Sequence, residues 1–247
     1  MKIISKLLCV TTIASIFFLG FFVNTVGYAD ESQANSVAGL KEAASKGSMK
    51  ESESGETPLK RFVVVLDKAS GELLSASQLA AAESNAKDTP ESTFAVSLQE
   101  EFQAKEVSYE VLTAQDEEKL SKYLAALDLT PISVIETEFT NGPSVGGGES
   151  VSETLKDNHE VYIIERGVPG ISGLPLEKQK EVSKGSQSVV AQFGDSLEWD
   201  RSYLTQEGTF CVYRTDDEKK IKEHGKIAGF PVDKISSVKH VTHKFKF

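Results

Sequence analysis

Cys211 and the histidines His159, His224, His240 and His243 gather every imidazole and one of the two thiols of this 247-residue chain in its C-terminal unit or at the entrance to it. Imidazole and thiolate suit nickel, copper and zinc, so the chemistry these residue types offer is transition-metal binding. Cys211, His224 and His240 are the candidate ligands. Their spacing builds no preformed chelate, because no HxH, CxxC or HExxH pattern sets two donors on one face of an element. His240 and His243 are three apart, and an extended strand turns them to opposite faces. His224 falls on the inward stripe of a helix. Cys211 alternates with Phe210 and Val212, which puts it on the other face of a strand from those two. Structural explanations compete for each residue: Cys is among the most buried residue types, and a core histidine bonded to a backbone carbonyl needs no metal. The pattern leaves open whether Cys211 and His224 meet.

The segment that carries these donors is written nearly twice. SYEVLTAQDEEKLSKYLAALDLTPISVI from Ser108 is echoed by TFCVYRTDDEKKIKEHGKIAGFPVDKISSV from Thr209. Val111, Asp116, Glu117 and Lys119 recur as Val212, Asp217, Glu218 and Lys220, and Leu120 is matched by Ile221. Identity is low, so the duplication rests on pattern. The first copy has Glu110 and Tyr123 where the second has Cys211 and His224, so metal or redox chemistry belongs to the second.

Lys2 and Lys6 precede an uncharged apolar run from Leu7 to Val23, then Gly-Tyr-Ala and an acidic pair. Residues 1–29 read as a secretory signal cleaved after Ala29, with a retained anchor as the alternative. Removing them takes the formal charge from −10 to −12, because both lysines are lost with no acidic residue. Nucleic acid is excluded as a partner on that balance, since its binding rests on basic residues against phosphates. Cys9 leaves with the signal, and a lone Cys211 has no internal disulfide partner. Residues 30–60, rich in Ser, Glu, Lys, Gly and Ala without an aromatic, read as a tether.

Two units follow, 61–140 and 159–247, separated by a Gly/Ser-rich linker at 141–158. In the second, Glu160 to Arg166 is apolar on both faces and so reads as a strand covered on both sides. Val182, Ser186, Val189, Val190 and Phe193 fall at helical spacing, with Gly194 as the cap. Trp199 to Thr205 and Thr209 to Arg214 form a hairpin, with Gly208 supplying a positive φ. Thr215 to Glu218 is a capping box for a helix with Ile221, His224, Gly225 and Ala228 on one side, ended by Gly229. Ile235 to Thr242 closes a βαββαβ order, the ferredoxin-like arrangement. The first unit repeats it: Phe62 to Leu66, a short helix boxed by Ser75 to Gln78 over Leu79 and Ala82 and closed by Pro90, strands Thr93 to Leu98 and Val107 to Thr113, a helix Asp116 to Leu127, and a strand Ser133 to Phe139. Opening strands apolar on both faces call for two sheets packed together as a pseudo-dimeric α+β barrel, or for an intermolecular dimer.

VYIIERGVPGISGLP and LEWDRSYLTQEGTFCVYRTDDEKKIKEHGKIAGFP, with Ser202-Tyr203, Cys211-Val212-Tyr213, Glu223-His224 and Gly229-Phe230-Pro231, resemble a small bacterial ferredoxin-like family, first named as a domain of unknown function, that includes a nickel-binding protein. The match covers about Glu160 to Val241. The family pattern places a histidine just before the Ser-Tyr pair, and here that position is Arg201. The resemblance implies a ferredoxin-like fold, a sheet-mediated dimer or pseudo-dimer, and transition-metal binding. It implies no known reaction.

The expectation is an α+β chain of two ferredoxin-like units, secreted or periplasmic, that binds nickel, another divalent transition metal or a small molecule. It has no membrane contact unless the N-terminal segment is retained as an anchor, and it allows a homo-oligomer. Two other classes stay open. One is a barrel enzyme that oxidises small molecules or uses haem, to which Asp200, Arg201 and Tyr203 would contribute polar groups by fold analogy alone. The other is a non-catalytic envelope interaction protein. No phosphate loop or nucleophile elbow is present, since Gly146-Gly147-Gly148 lies in the linker without a strand before it.

Overall fold

The computed structural model describes residues 58–84, 88–152 and 154–242. Residues 1–29, expected as a signal sequence, nearly all of 30–60, expected as a tether, and His243 lie outside them.

The first half runs β1 (Lys60–Asp67), α1 (Lys68–Ser84), α2 (Pro90–Phe94), β2 (Ser97–Gln103), β3 (Val107–Ala114), α3 (Glu117–Ala126), β4 (Ser133–Thr137) and β5 (Phe139–Asn141). The second half runs β6 (Glu160–Arg166), α4 (Leu176–Val190), β7 (Leu197–Leu204), β8 (Thr209–Thr215), α5 (Glu218–Ala228) and β9 (Lys234–Thr242). All pairings are antiparallel, and they line up as β4-β1-β3-β2-β9-β6-β8-β7-β5. The molecule is therefore mixed α+β with a large antiparallel sheet, and each half follows the ferredoxin-like order. The halves meet twice: β2 pairs with β9, with Phe102 opposite His240, and β5 pairs with β7, with Thr140 opposite Tyr203.

Alternation sorts the strand residues into three cores. Phe62, Val64, Leu66 and Leu112 pack with Leu120 and Tyr123 of α3. The other face of the same strands, with Val63, Val65, Tyr109 and Val111, packs with Ile163, Tyr203, Phe210 and Val212 of the second half. Tyr162, Ile164, Cys211 and Tyr213 meet Val190 of α4 and Ile221 of α5. Apolar side chains on both faces of β1 and β6 are thus buried by helices on one side and by the other half on the other side.

Several local expectations are corrected. α1 starts at Lys68 rather than near Ser75: Asp67 accepts hydrogen bonds from the Ser70 amide at 3.0 Å and its hydroxyl at 2.6 Å, which caps a long helix at its true start. Leu79 consequently faces solvent while Leu74 is buried. Pro90 opens α2 rather than closing a region, with Thr89 capping it, because proline loses nothing in a first helical turn. That shifts β2 to Ser97. α5 is capped by Asp217, whose side chain accepts from the Lys219 amide at 2.9 Å, and not by Thr215. Gly208 does not adopt a positive φ. It is required for another reason, since a Cβ there would lie 2.0 Å from the Arg166 carbonyl oxygen.

Candidate functional site

β8 presents Cys211 and Tyr213 to the face covered by α4 and α5, and Phe210 and Val212 to the face shared with the first half. His224 reaches the same helix-covered face from α5. It is fully buried, with its ring 5.3 Å from that of Tyr213. Its Nε2 lies 3.3 Å from the Ser186 hydroxyl and 3.4 Å from the Ser186 carbonyl oxygen. Nδ1 is buried without a partner. A proton on Nε2 donates to the Ser186 carbonyl and leaves Nδ1 as a bare lone pair, the form that ligates metals. Burial, then the Arg166 charge, pull the His224 pKa down to about 4 against a weaker opposing bond to Ser186, so the ring is neutral at pH 7.

Cys211 is buried, its Sγ 3.2 Å from Thr209 Oγ1. Burial, and after it Cys211, push the Tyr213 phenol up, while Arg166 and Ser186 act on it in the opposite direction. Cys211 and His224 therefore share a face and both adjoin Tyr213. His240 stands apart from them, on the face between the halves. Among the described residues no three His, Cys, Asp or Glu side chains gather in a way that would hold a metal ion.

Against Cys211 and Tyr213 lies a pocket of about 50 Å³, bordered also by Arg166, Gln179, Ser186 and Phe230. Most of this lining has no signature in the sequence. Arg166 reads as the last residue of a strand, and nothing in its spacing distinguishes it. α4 gave a signal: Gln179, Ser183 and Ser186 are buried on the stripe that an ordinary amphipathic helix fills with apolar residues. Gln179 donates to the carbonyls of Ser172 at 2.8 Å and Leu174 at 2.9 Å, leaving its Oε1 buried and unpartnered. Arg166 donates from Nη1 to the Pro231 carbonyl at 2.6 Å, and its Nη2 is buried and unpartnered.

His240 belongs to a second cluster. Its ring stacks on Phe102 with centroids 4.4 Å apart, and its Nε2 is 2.9 Å from Glu100 Oε2. Arg201, at the position where the family resemblance expects a histidine, pairs with the same carboxylate at 2.6 Å, and Tyr203 donates to Oε1 at 2.5 Å. Burial opposes ionisation of Glu100, but His240, Arg201 and Tyr203 outweigh it and hold the carboxyl below its ordinary value. His159 is buried near Glu198, its Nδ1 3.6 Å from that carboxylate.

Fold and site define an α+β protein with two ferredoxin-like halves, the second of which carries soft donors and a small pocket under its helices. Residues 162–238 match the family model described as nickel responsive protein SCO4226-like. No curated protein matches the chain. Among solved structures, a chlorite dismutase from Candidatus Nitrospira defluvii in complex with imidazole aligns over 74% of this chain and 92% of its own, at 8% identity and TM-score 0.41. A mutant of that enzyme in complex with cyanide aligns over 73% and 90%, at 7% identity and TM-score 0.41. Likeness at this level carries no argument about this chain.

Proposed function

We propose that this chain is an exported, non-catalytic binding protein whose second half takes a small ligand, or a nickel-type divalent ion, on the helix-covered face of β8. One observation carries the reading. Two residues bordering the pocket, Arg166 and Gln179, each keep a buried polar atom without a partner, and native proteins rarely leave such groups unpaired unless something else supplies the partner.

The metal form of the reading is supported by the family match over residues 162–238 and by the state of His224, a neutral imidazole with a free, buried Nδ1. Cys211 and His224 are the residues that would hold the ion. They supply two donors, so the remaining positions would fall to water or an exogenous ligand. A bound ion there would contribute a Lewis-acidic centre. This chain's own part is to keep the imidazole neutral.

The reading includes a closed, pseudo-dimeric α+β barrel. The β2–β9 and β5–β7 pairings and the core shared by Val63, Tyr109, Ile163 and Val212 support that closure. Export rests on Lys2, Lys6 and the apolar run after them, and the N-terminal sequence of the protein recovered from its native host checks it. For binding, untagged protein is titrated calorimetrically with nickel, copper and zinc chlorides. Micromolar or tighter binding of one ion, lost in the Cys211→Ser/His224→Gln double variant, is expected. Binding that survives the double variant would sink the metal form of the proposal.

A further inference from the structure

Arg166 is a buried guanidinium without a counter-charge. It is 5% exposed, and among the described residues it makes no ion pair. A charge in that position is costly unless a partner neutralises it. The residue is nevertheless held firmly. Nη1 is fixed on the Pro231 carbonyl at 2.6 Å, and its Cζ lies 5.9 Å from the ring centroids of both Tyr213 and Phe230. One arm is anchored, the plane is braced by two aromatic rings, and the other arm, Nη2, is left bare beside the pocket.

We infer that the pocket between α4 and β8 is a binding site for a small monocarboxylate, with Arg166 pairing its carboxylate; this deepens the small-ligand reading above and rests on it. Among the described residues Arg166 is the only charged one bordering the pocket. One guanidinium balances a monoanion and leaves a dianionic phosphate half unpaired, and the planar fork of Arg matches a carboxylate. The rest of the lining mixes apolar Val168, Ile171, Val182 and Leu204 with polar residues such as Asn141 and Ser202, and suits a short hydrocarbon or aromatic body that also carries a polar group. A cavity of about 50 Å³ has room for several waters, since one needs about 10–15 Å³, so the ligand is small. The free Gln179 Oε1 accepts, and therefore favours a ligand that also carries a hydroxyl.

The test uses the untagged protein and matched acid and amide probes: butyrate against butyramide, lactate against lactamide, benzoate against benzamide, followed by calorimetry and thermal shift. At least one acid is expected to bind saturably and at least tenfold more tightly than its amide. Arg166→Gln should abolish that difference. Ser186→Leu, which leaves Arg166 in place and fills the pocket, should abolish binding of both, and circular dichroism checks that each variant folds. Equal binding of acid and amide would overturn the role of Arg166 while leaving the pocket reading intact. Absence of binding by every probe would overturn the carboxylate inference, and if nickel, copper and zinc also give no heat, the binding reading falls with it.

Discussion

Glu100 and Arg201 occupy matching positions in the two halves and form an ion pair with each other at 2.6 Å. Each follows an irregularity in its strand, Leu98 to Glu100 in β2 and Trp199 to Arg201 in β7, and each then sits opposite a matching valine, Val111 or Val212. A duplicated position has thus been given opposite charges, so that the halves attract where a repeat of one residue would repel. His240 and Tyr203 complete the shell around the carboxylate.

Replacing Glu100 by Gln is expected to cost about 2 kcal/mol at pH 7, less than for a fully buried pair because both partners keep some solvent contact. The folded-state pKa of Glu100 is depressed, so its stabilisation is complete above the ordinary value and disappears as pH falls through the lower folded value. Urea melts of both proteins at pH 7 and pH 3 check this. The gap between the two proteins should narrow at the lower pH, and a constant gap would refute the pairing as its cause.

The strand and helix order was legible because alternation and capping are local. Glu160 to Arg166 is one strand in the pattern and in the structure. The helix expected over Asp116 to Leu127 is α3, with Asp116 as its cap rather than its first residue. Gln78 reads as a polar capping residue but lies inside α1, where it is buried by donating to the Tyr123 hydroxyl at 2.7 Å and accepting from the Leu98 amide at 3.2 Å. Such non-local satisfaction has no sequence period. Arg166 was invisible for the same reason: what marks it is the lack of a partner, and partners are set by tertiary placement.

His224 should make the protein acid-sensitive. Its folded pKa, about 4, lies below the ordinary 6.5. The unfolded chain therefore binds a proton that the folded chain refuses, and stability falls as pH drops from about 6.5 to about 4. The loss over that window is about 3 kcal/mol for one proton. His224→Gln should flatten the dependence between pH 7 and pH 4 in chemical denaturation. A variant as acid-sensitive as the parent would show that another group is responsible.

Glu110, in the place Cys211 fills in the other half, should do the opposite. Burial pushes its pKa up to about 8, with the Ser108 hydroxyl opposing and Glu101 adding to the rise. Below about 4.5 the group is neutral whether folded or not. As pH rises toward 8 the unfolded chain releases the proton first, and stability is lost over that range. Glu110→Gln keeps the shape and the bond from Ser108 without the ionisation. It should raise stability at pH 8 by on the order of 3 kcal/mol and change little at pH 4. Thermal melts at the two pH values decide it, and an unchanged melting temperature at pH 8 would contradict the assignment.

Gly208 connects the hairpin to the pocket. A Cβ at that position would meet the Arg166 carbonyl oxygen at 2.0 Å, its carbon at 3.0 Å and the Val168 amide nitrogen at 3.1 Å. All three are backbone atoms of the segment that carries Arg166, so none can rotate away. The Thr205 hydroxyl accepts from the Gly208 amide at 3.0 Å, and the Thr205 amide donates to the Gly208 carbonyl at 2.9 Å, which pins the other side of the turn. Gly208→Ala must therefore displace the end of β6, at a cost of about 3 kcal/mol, in the range for severe backbone clashes. The displacement moves the guanidinium as well as the strand, so carboxylate affinity should fall even at temperatures where the variant remains folded. Glu207→Ala, one residue earlier and exposed, is the control and should leave both stability and affinity within error. A Gly208→Ala protein with parental stability would mean that the close approach to Arg166 is not what keeps glycine there.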